Sequence, residues 1–420
     1  MHDMHTHELF PAFYSLTHVV DDEHMQRNTR AMVAMLFVGL AIFSGLYSTQ
    51  AILPTFVDEL GFSHTEAALT VSAATGALAL CIVPLSILSE RFGRGRLLII
   101  SAVLATILAF MVPLVGDNVW AIISIRALQG AVLAGAPAVA MAWLSEELDE
   151  DVLPRAMGLY IAGNTLGGLT GRLIPTGLLE FTGWRGALLG AAAVSAFFAV
   201  LFIILLPKQQ NFQPKQLRFK SELRAMVNHW RNPQTGLLFV FAFLGMGAFV
   251  SMYNFITFRL IERFGLPITL AGLVFLMYLA GTWSSARVGA IINRYGHGKT
   301  FIGSALLYAL GVVMTLGPLP MLLAGMFIFT AGFFAAHSTA SGWVGQAAYK
   351  DRAEASSMYL FCYYAGSSII GAISGLVFEA TNWTGFIGFI SCFTIAVIVI
   401  GLWLHKTTAR RTEDATALRV

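Results

Sequence analysis

Three basic side chains, Arg126, Arg172 and His337, lie inside long apolar stretches of the sequence. An arginine in the middle of an apolar span costs at least about 2.5 kcal/mol, so it normally faces a cavity or a polar partner. Two such arginines could offer positive charge to an anionic or dipolar solute, and a histidine, which changes charge near neutral pH, could carry a proton. The alternatives are an arginine that reaches a membrane surface or bonds a neighbouring helix, and a histidine that stays neutral.

Five further polar or aromatic side chains could line the same cavity, although packing alone more often explains such a residue: Tyr47, Gln50, Asn164, Asn254 and Trp283. None of the 23 Asp and Glu residues falls in the middle of an apolar stretch, so no buried carboxylate is predicted for proton coupling. The three cysteines also lie in apolar stretches and have no metal-ligand spacing. We therefore expect neither a metal site nor a cofactor.

The elements that must position these residues are membrane helices. Of the 420 residues, 57% are hydrophobic and 12% are charged, whereas a soluble domain carries about 25% charged residues. A helix needs about 20 apolar residues to cross a bilayer, and a barrel strand needs only about 10. The sequence predicts an all-α polytopic membrane protein with twelve transmembrane helices, at 31–53, 67–88, 97–116, 119–143, 157–180, 186–206, 237–258, 268–291, 301–318, 320–344, 356–379 and 385–404.

The basic residues indicate the orientation of these helices. If both termini are cytoplasmic, 20 of the 26 Lys and Arg residues lie in cytoplasmic segments and three lie outside, namely Arg185, Arg259 and Arg263. The other three, Arg126, Arg172 and Arg287, fall within predicted spans. This distribution follows the positive-inside rule. The net charge of +3 thus reflects membrane topology, and nucleic-acid binding is not expected.

A polar segment at 207–236 divides the predicted helices into six plus six. The predicted organisation is a cytoplasmic tail at 1–30, a six-helix bundle at 31–206, the linker at 207–236, a second six-helix bundle at 237–404 and a tail at 405–420. The linker contains apolar residues at helical spacing beside four cations, which fits a helix on an anionic leaflet and fits equally a helix packed beneath the bundle. The residues are Phe219, Leu223, Met226, Val227 and Trp230, with Arg218, Lys220, Arg224 and Arg231.

The two predicted bundles resemble each other in sequence. The stretch SERFGRGR at 89–96 recurs as INRYGHGK at 292–299, a shift of 203 residues. A shift of 199 aligns Glu180 with Glu379 and Thr182 with Thr381. A duplicated unit of this kind places a binding site between the halves, near the middle of the bilayer. The Gly-Lys-Thr ending at 298–300 mimics a phosphate-binding loop, but it lacks that loop's first glycine and its preceding strand.

The two loops also resemble a known family. Residues 86–96 are similar to the signature loop of the major facilitator superfamily, and residues 289–299 are similar to its second copy. The resemblance implies a cytoplasmic gate, in which the acidic run at 146–151 could pair with Arg91 or Arg94. Asn293 carries no charge, so we expect the gate to be stronger at the first copy. The gate residues are Glu90, Arg91, Gly93, Arg94 and Arg96, followed by Asn293, Arg294, Gly296, Gly298 and Lys299.

Two helices carry further parts of the resemblance. Arg126, Gln129 and Gly130 match the superfamily's Arg-x-x-Gln-Gly element, which implies a role in proton transfer or in recognition of substrate charge. The fifth predicted helix has the glycine spacing of drug:proton antiporters, which chiefly permits close helix packing, but it carries Arg172 where that element has proline. The sequence is most similar to the exporter-like branch that contains YnfM-type and arabinose-efflux-type proteins.

The resemblance implies a secondary transporter that works by alternating access in the bacterial cytoplasmic membrane. We expect proton-linked export of a small organic solute by a monomer embedded in the lipid bilayer, with no enzymatic activity. The alternative with the same fold is an importer of a small organic anion that uses Arg126 and Arg172. The alternatives from other classes are a transport-dead receptor and a membrane-embedded enzyme, and the sequence contains no active-site motif that favours either.

Overall fold

The computed structural model describes residues 9–214 and 216–417, with side chains for 25–214 and 216–407. Residues 1–8 and 418–420 of the predicted tails lie outside the described residues. Ten helical segments of the described chain are long and apolar enough to cross a membrane. The predicted all-α polytopic membrane fold is therefore confirmed.

The α-helices divide between two halves that are joined by a linker helix. The first half contains α1 (Leu9–Leu46), α2 (Leu53–Leu60), α3 (His64–Phe92), α4 (Arg94–Met111), α5 (Val119–Leu133), α6 (Gly135–Glu147) and α7 (Leu153–Leu205). The linker helix is α8 (Phe219–Asn228). The second half contains α9 (Pro233–Phe264), α10 (Ile268–Gly272), α11 (Tyr278–Met314), α12 (Leu319–Ala347), α13 (Arg352–Ala380) and α14 (Trp383–Ala417).

Two of these helices contain a residue with non-helical backbone geometry. The 53 residues of α7 would extend about 80 Å as a straight helix, more than twice the hydrocarbon thickness of a bilayer. The backbone leaves helical geometry at Gly183 in α7 and at Gly296 in α11, and each glycine lies in a gap between two predicted spans. If each of these helices makes two crossings, the ten segments correspond to the twelve predicted helices, a count that stays a prediction.

Both ends of the described membrane region and the linker lie at one face, which we call the tail face. There Arg27 forms an ion pair with Glu147, the Gly95 amide donates to Gln209 of the linker, and Gly298 packs against His405. We call the opposite end the far face. The tail face corresponds to the side that the sequence predicts to be cytoplasmic.

The duplication predicted from the sequence recurs in the backbone. Gly61 ends α2 with φ 69°, and Gly265, 204 residues later, ends α9 with φ 66°. Gly93 (φ 101°) and Gly296 (φ 78°) are 203 residues apart and make the same turn in the two loops. Residues with a side chain reach these positive φ values only at a cost, so the glycines of both loops are needed for the turn.

The first predicted span, 31–53, is not one continuous helix. The helix α1 ends at Leu46 and is followed by a turn and a short 3-10 helix at Gln50–Ile52. The fourth predicted span, 119–143, is likewise divided into α5 and α6. The break after Leu46 matters because it places Tyr47 and Gln50 inside the protein, where both are buried.

Close packing of α1 against α7 depends on glycines spaced four residues apart. A Cβ at Gly167 would lie 2.7 Å from the carbonyl oxygen of Leu40, so any side chain there would push the helices apart. Gly163 and Gly171 meet backbone of α1 in the same way, whereas Gly158 has no neighbour within 4 Å. The packing role predicted from the glycine spacing of this helix therefore holds for Gly163, Gly167 and Gly171.

Candidate functional site

Arg172 lies at the boundary between the two halves and is 1% exposed. Its Nε donates to Gln50 Oε1 at 2.7 Å, and its Nη1 donates to the Gly168 carbonyl at 2.6 Å. Its Nη2 donates at 2.9 Å to the hydroxyl of Tyr278, which belongs to the second half. The guanidinium also lies between two rings, 4.0 Å from the centroid of Tyr47 and 4.3 Å from that of Tyr278. One buried cation thus connects both halves.

A polar chain extends from Arg172 further into the second half. Gln50, whose Oε1 accepts from Arg172, donates from Nε2 to Asn254 Oδ1 at 2.7 Å. Both amide side chains are fully buried, and Nδ2 of Asn254 has no hydrogen-bond partner among the described residues. The structure therefore joins Tyr47, Gln50, Arg172 and Asn254, which the sequence nominated separately.

Arg126 has a different environment, because all of its contacts lie within the first half. Its Nε donates to the Thr70 carbonyl at 2.9 Å and its Nη1 to the Gly45 carbonyl at 2.8 Å. Short hydrogen bonds also run from Nη1 to Gln129 Oε1 and from Nη2 to the Leu46 carbonyl. The last carbonyls of a helix have no partner within that helix, so Arg126 stabilises the buried end of α1.

Neither arginine has an acidic partner among the side chains that the structure describes, where no carboxylate pairs with Arg126 or Arg172. Carbonyl, amide and hydroxyl oxygens solvate the two cations, but the charge itself is not neutralised. A site of this kind is complementary to an anionic or strongly dipolar group.

His337 lies in an aromatic wall of the second half. Its Nδ1 is 2.8 Å from the hydroxyl of Tyr359, and its ring packs against Phe333 and Tyr363 at centroid distances of 5.9 and 4.8 Å. The sequence analysis missed these aromatic neighbours and also missed Tyr278. The only signal available was their position in apolar runs, and that signal is shared with many packing residues.

Besides Arg126, Gln129 and His337, two more nominated residues lie outside the Arg172 cluster. Asn164 packs at the α1–α7 boundary, where a Cβ at Gly39 would lie 2.6 Å from its Oδ1. Trp283 is 51% exposed and contacts Arg287 and Phe327. It follows Tyr278 by five residues and so lies about 140° around the helix from it. The described side chain of Trp283 therefore does not line the space around Arg172.

The first gate loop is held by its middle arginine. Arg94 Nε donates to Glu146 at 2.8 Å, which confirms a predicted partner from the acidic run. Its two Nη atoms donate to Ser89 Oγ at 3.1 Å and to Glu90 at 3.4 Å. Arg91 and Arg96 are exposed. The loop is thus attached to α3 and α6 of its own half.

The second gate loop carries fewer charge contacts. Asn293, Arg294 and Lys299 are exposed, and the guanidinium of Arg294 lies 5.2 Å from the ring centroid of Tyr295. Gly298 is buried against His405 of α14. The first loop therefore makes more charged contacts than the second, and the expected difference in gate strength stays a prediction.

The halves are separated at the tail face and joined elsewhere. A cavity of about 760 Å³ opens there, and Ser86 and Glu90 of the first half face Glu354 and Ser357 of the second across it. The cross-half hydrogen bonds of the described side chains lie in the middle of the protein or at the far face: Gln50–Asn254, Arg172–Tyr278, Ser368–Ser72, Thr269–Thr176, Thr269–Glu180 and Thr65–Glu379. The structure is closed at the far face and open at the tail face.

Comparison with known proteins identifies the family to which this two-half arrangement belongs. The model of the Major Facilitator Superfamily matches residues 35–287 and 264–419. The chain belongs to the major facilitator superfamily. It is 37% identical to the inner membrane transport protein YnfM of Escherichia coli, over 90% of this chain and 91% of that protein. It is 33% identical to the MFS-type transporter YybF of Bacillus subtilis, over 90% and 93% of the two chains.

Solved structures of superfamily members share the fold. The nucleoside transporter NupG superposes with a TM-score of 0.74 at 15% identity, over 90% of this chain and 99% of that one. Because its relatives are named as transporters, we conclude that this chain is a multi-pass membrane transporter of a small solute. Within this two-half architecture, Arg172 lies at the boundary between the halves.

Proposed function

We propose that this transporter is a proton-linked exporter of a small organic solute that binds between the halves at Arg172. The observation that carries the proposal is the position of Arg172, which is buried and contacts residues of both halves. In the tail-open form, an acidic or dipolar group of a cytoplasmic solute would take the place of the Tyr278 hydroxyl at the Arg172 guanidinium. Opening the far face would then separate the halves there and release the solute.

For the proton, we propose His337 with Tyr359 as its hydrogen-bonded partner. Histidine is the side chain whose unperturbed charge change falls near neutral pH, and the 2.8 Å contact with Tyr359 provides a neighbouring hydroxyl. No Asp or Glu of the described side chains pairs with the buried arginines, which leaves His337 as the nominated titratable group. The export direction rests on the resemblance to the exporter-like branch.

Import of a small organic anion is the second candidate. The specific observation in its favour is that two fully buried arginines have no described carboxylate partner. We assign the two arginines different roles, because Arg126 donates to the last carbonyls of α1 and Arg172 lies between the halves. In this second candidate Arg172 holds the anion and Arg126 supports the helix end beside it.

The proposed location is the bacterial cytoplasmic membrane, with the tail face cytoplasmic and the protein monomeric. The basic residues of the gate loops and the linker lie at the tail face, as the positive-inside rule requires of a cytoplasmic side. The inner-membrane name of the relative YnfM supports the same location.

Transport in vesicles with an imposed pH gradient tests the proposal. Wild-type protein would be assayed in both directions against a panel of organic acids, zwitterions and neutral solutes, beside Arg172→Gln and His337→Gln. We expect gradient-driven export that Arg172→Gln lowers at least about tenfold, because it removes charge-assisted hydrogen bonds. We expect His337→Gln to remove the dependence on the gradient.

Arg287→Gln provides the matched control, since Arg287 lies in the same membrane region but packs on Trp283, away from the cluster. Normal transport by Arg172→Gln would refute the site, and a gradient without effect in either direction would refute the coupling. Import driven by the gradient would favour the second candidate. Tight binding of one solute without any transport would favour a receptor.

A further inference from the structure

The linker helix α8 is fixed at the membrane boundary of the second half. The ring of Trp230, just after α8, packs edge-on against Phe239 at a centroid distance of 5.2 Å. Met226 is 2% exposed, and His229 Nε2 lies 2.9 Å from the carbonyl of Asp351 at the start of α13. Phe239 is only six residues into α9, so α8 lies at the height where that helix enters the bilayer.

One face of α8 is apolar and uncovered. Phe219, Leu223 and Val227 follow one another at four-residue spacing and are 41%, 55% and 54% exposed. At helical geometry this spacing places them along one side of the helix. The sequence left open whether this helix lies on the leaflet or packs beneath the bundle, and the structure shows that Met226 packs inward while this face stays free.

The free face is bordered by cations. Lys220 and Arg224 are exposed beside it on α8, and Arg218 and Arg231 are exposed at the two ends. Glu222 is the single acidic residue between 218 and 231. An apolar face with flanking lysine and arginine is the arrangement that binds the interface of an anionic leaflet.

The opposite side of α8 faces the tail-face cavity. Arg218, Ser221 and Glu222 line that cavity together with Glu90 and Glu354 of the two halves. The start of the linker is attached to the first half, where the amides of Gln210 and Asn211 donate to Glu147. The linker therefore spans the cavity mouth from one half to the other.

We propose that α8 docks its Phe219–Leu223–Val227 face into an anionic lipid leaflet and thereby ties the linker, and the mouth that it lines, to the membrane surface. Charge complementarity and the height fixed by Trp230 favour this occupant over a second protein. Each surface cation raises the affinity for such a leaflet about fivefold. Lys220 and Arg224 together would contribute about 30-fold.

Spin labels on the full-length protein test the proposal independently of transport. Leu223→Cys and Ser221→Cys would each be labelled in a chain whose Cys81, Cys362 and Cys392 are replaced by serine. The two positions are about 160° apart around the helix. Collision rates with oxygen and with a water-soluble nickel chelate would be measured in nanodiscs of phosphatidylcholine, with and without phosphatidylglycerol.

With phosphatidylglycerol, we expect the label at 223 to be accessible to oxygen and protected from nickel, while the label at 221 remains open to nickel. The double substitution Lys220→Gln with Arg224→Gln should lower the ratio of inserted to withdrawn helix about 30-fold. Lys350 is an exposed cation elsewhere at the tail face, and Lys350→Gln should leave this ratio unchanged. The proposal would be overturned by equal access of nickel to the labels at 223 and 221, or by insertion that is the same with and without phosphatidylglycerol. Spin–spin broadening from a second copy of the protein would also overturn it.

Discussion

Thr269 in α10 donates a 2.6 Å hydrogen bond to the carboxylate of Glu180 in α7, across the boundary between the two halves at the far face. The repeat contains the same contact, because Thr65 in α3 donates to Glu379 in α13 at 3.1 Å. The threonines are 204 residues apart and the glutamates are 199 apart, close to the shifts that relate the two halves in sequence. A duplicated pair of hydrogen bonds therefore joins the two halves at the far face.

Removing both hydroxyls should open the far face. Thr65→Val with Thr269→Val eliminates two hydrogen bonds of about 1 kcal/mol each, so the ratio of far-face-open to far-face-closed protein should rise about 30-fold. Spin labels at the exposed positions Phe181 and Asn382, one in each half, would report the change as a longer distance.

Thr182→Val is the control for this experiment. The Thr182 hydroxyl also lies at the far face, but it donates to the Leu178 carbonyl of its own helix at 2.9 Å. Its loss should leave the distance distribution unchanged. An unchanged distribution in the double variant as well would show that the paired contacts do not hold the far face.

Arg126 should matter more for stability than for transport. Arg126→Met leaves the carbonyls of Gly45, Leu46 and Thr70 without their described side-chain donor, and an unsatisfied buried group costs roughly 1–3 kcal/mol. We expect a loss of stability of at least about 3 kcal/mol, measured by unfolding in mixed micelles. Arg172→Met should lose less stability and more transport.

Gln129→Leu is a milder test of the same assignment. It removes one acceptor from Arg126 and leaves the helix-end carbonyls bonded, so the protein should fold with a smaller loss of stability. If Arg126→Met abolished transport while unfolding like the wild type, Arg126 would belong to the transport site instead.

The fold was predictable because spanning a bilayer requires long apolar helices, and the charge distribution and the duplication are directly visible in the sequence. The site was predictable only as a set of candidates. Arg172 was identified because a buried charge is costly, but its contact with Tyr278 depends on how two halves meet. Asn164 and Trp283 lie in apolar runs like that of Arg172, and only the packing of the helices places them away from the Arg172 cluster.

The break in α1 was hidden for a related reason. Residues 31–53 are mainly apolar, and the local features near the break are the polar run Ser48, Thr49 and Gln50 and the following Pro54. The structure ends it there because Arg126, 80 residues away in sequence, supplies donors to the last carbonyls. The contribution of Arg126 to this helix end cannot be read from the local sequence.

Glu147 should prove to be a structural residue of the tail face. Its buried carboxylate pairs with Arg27 and accepts from the amides of Gln210 and Asn211. Removing one partner of a buried ion pair costs about 3–5 kcal/mol, so Glu147→Ala should lower stability by that order and expose the linker to protease. Glu150→Ala, at an exposed position of the same acidic run, should have neither effect.

Limited proteolysis of the intact protein in nanodiscs, read by mass spectrometry, would locate the cuts in the Glu147→Ala variant. Cleavage within 207–218 that appears only in this variant would support the anchoring role. The role would be refuted if the two variants were cut alike.

The two gate loops should respond unequally to substitution. Glu90 lines the tail-face cavity beside Arg94 and can meet the second half when that face closes, whereas Asn293 is exposed and carries no charge. Glu90→Gln should therefore shift the protein toward the tail-open form by up to about fivefold, the range of a partly exposed ion pair. Spin labels at Phe92 and Ala353, exposed on opposite sides of the mouth, would measure the shift. Asn293→Ala should change the same distance distribution less than Glu90→Gln, and equal effects of the two substitutions would contradict a gate based on the charge of Glu90.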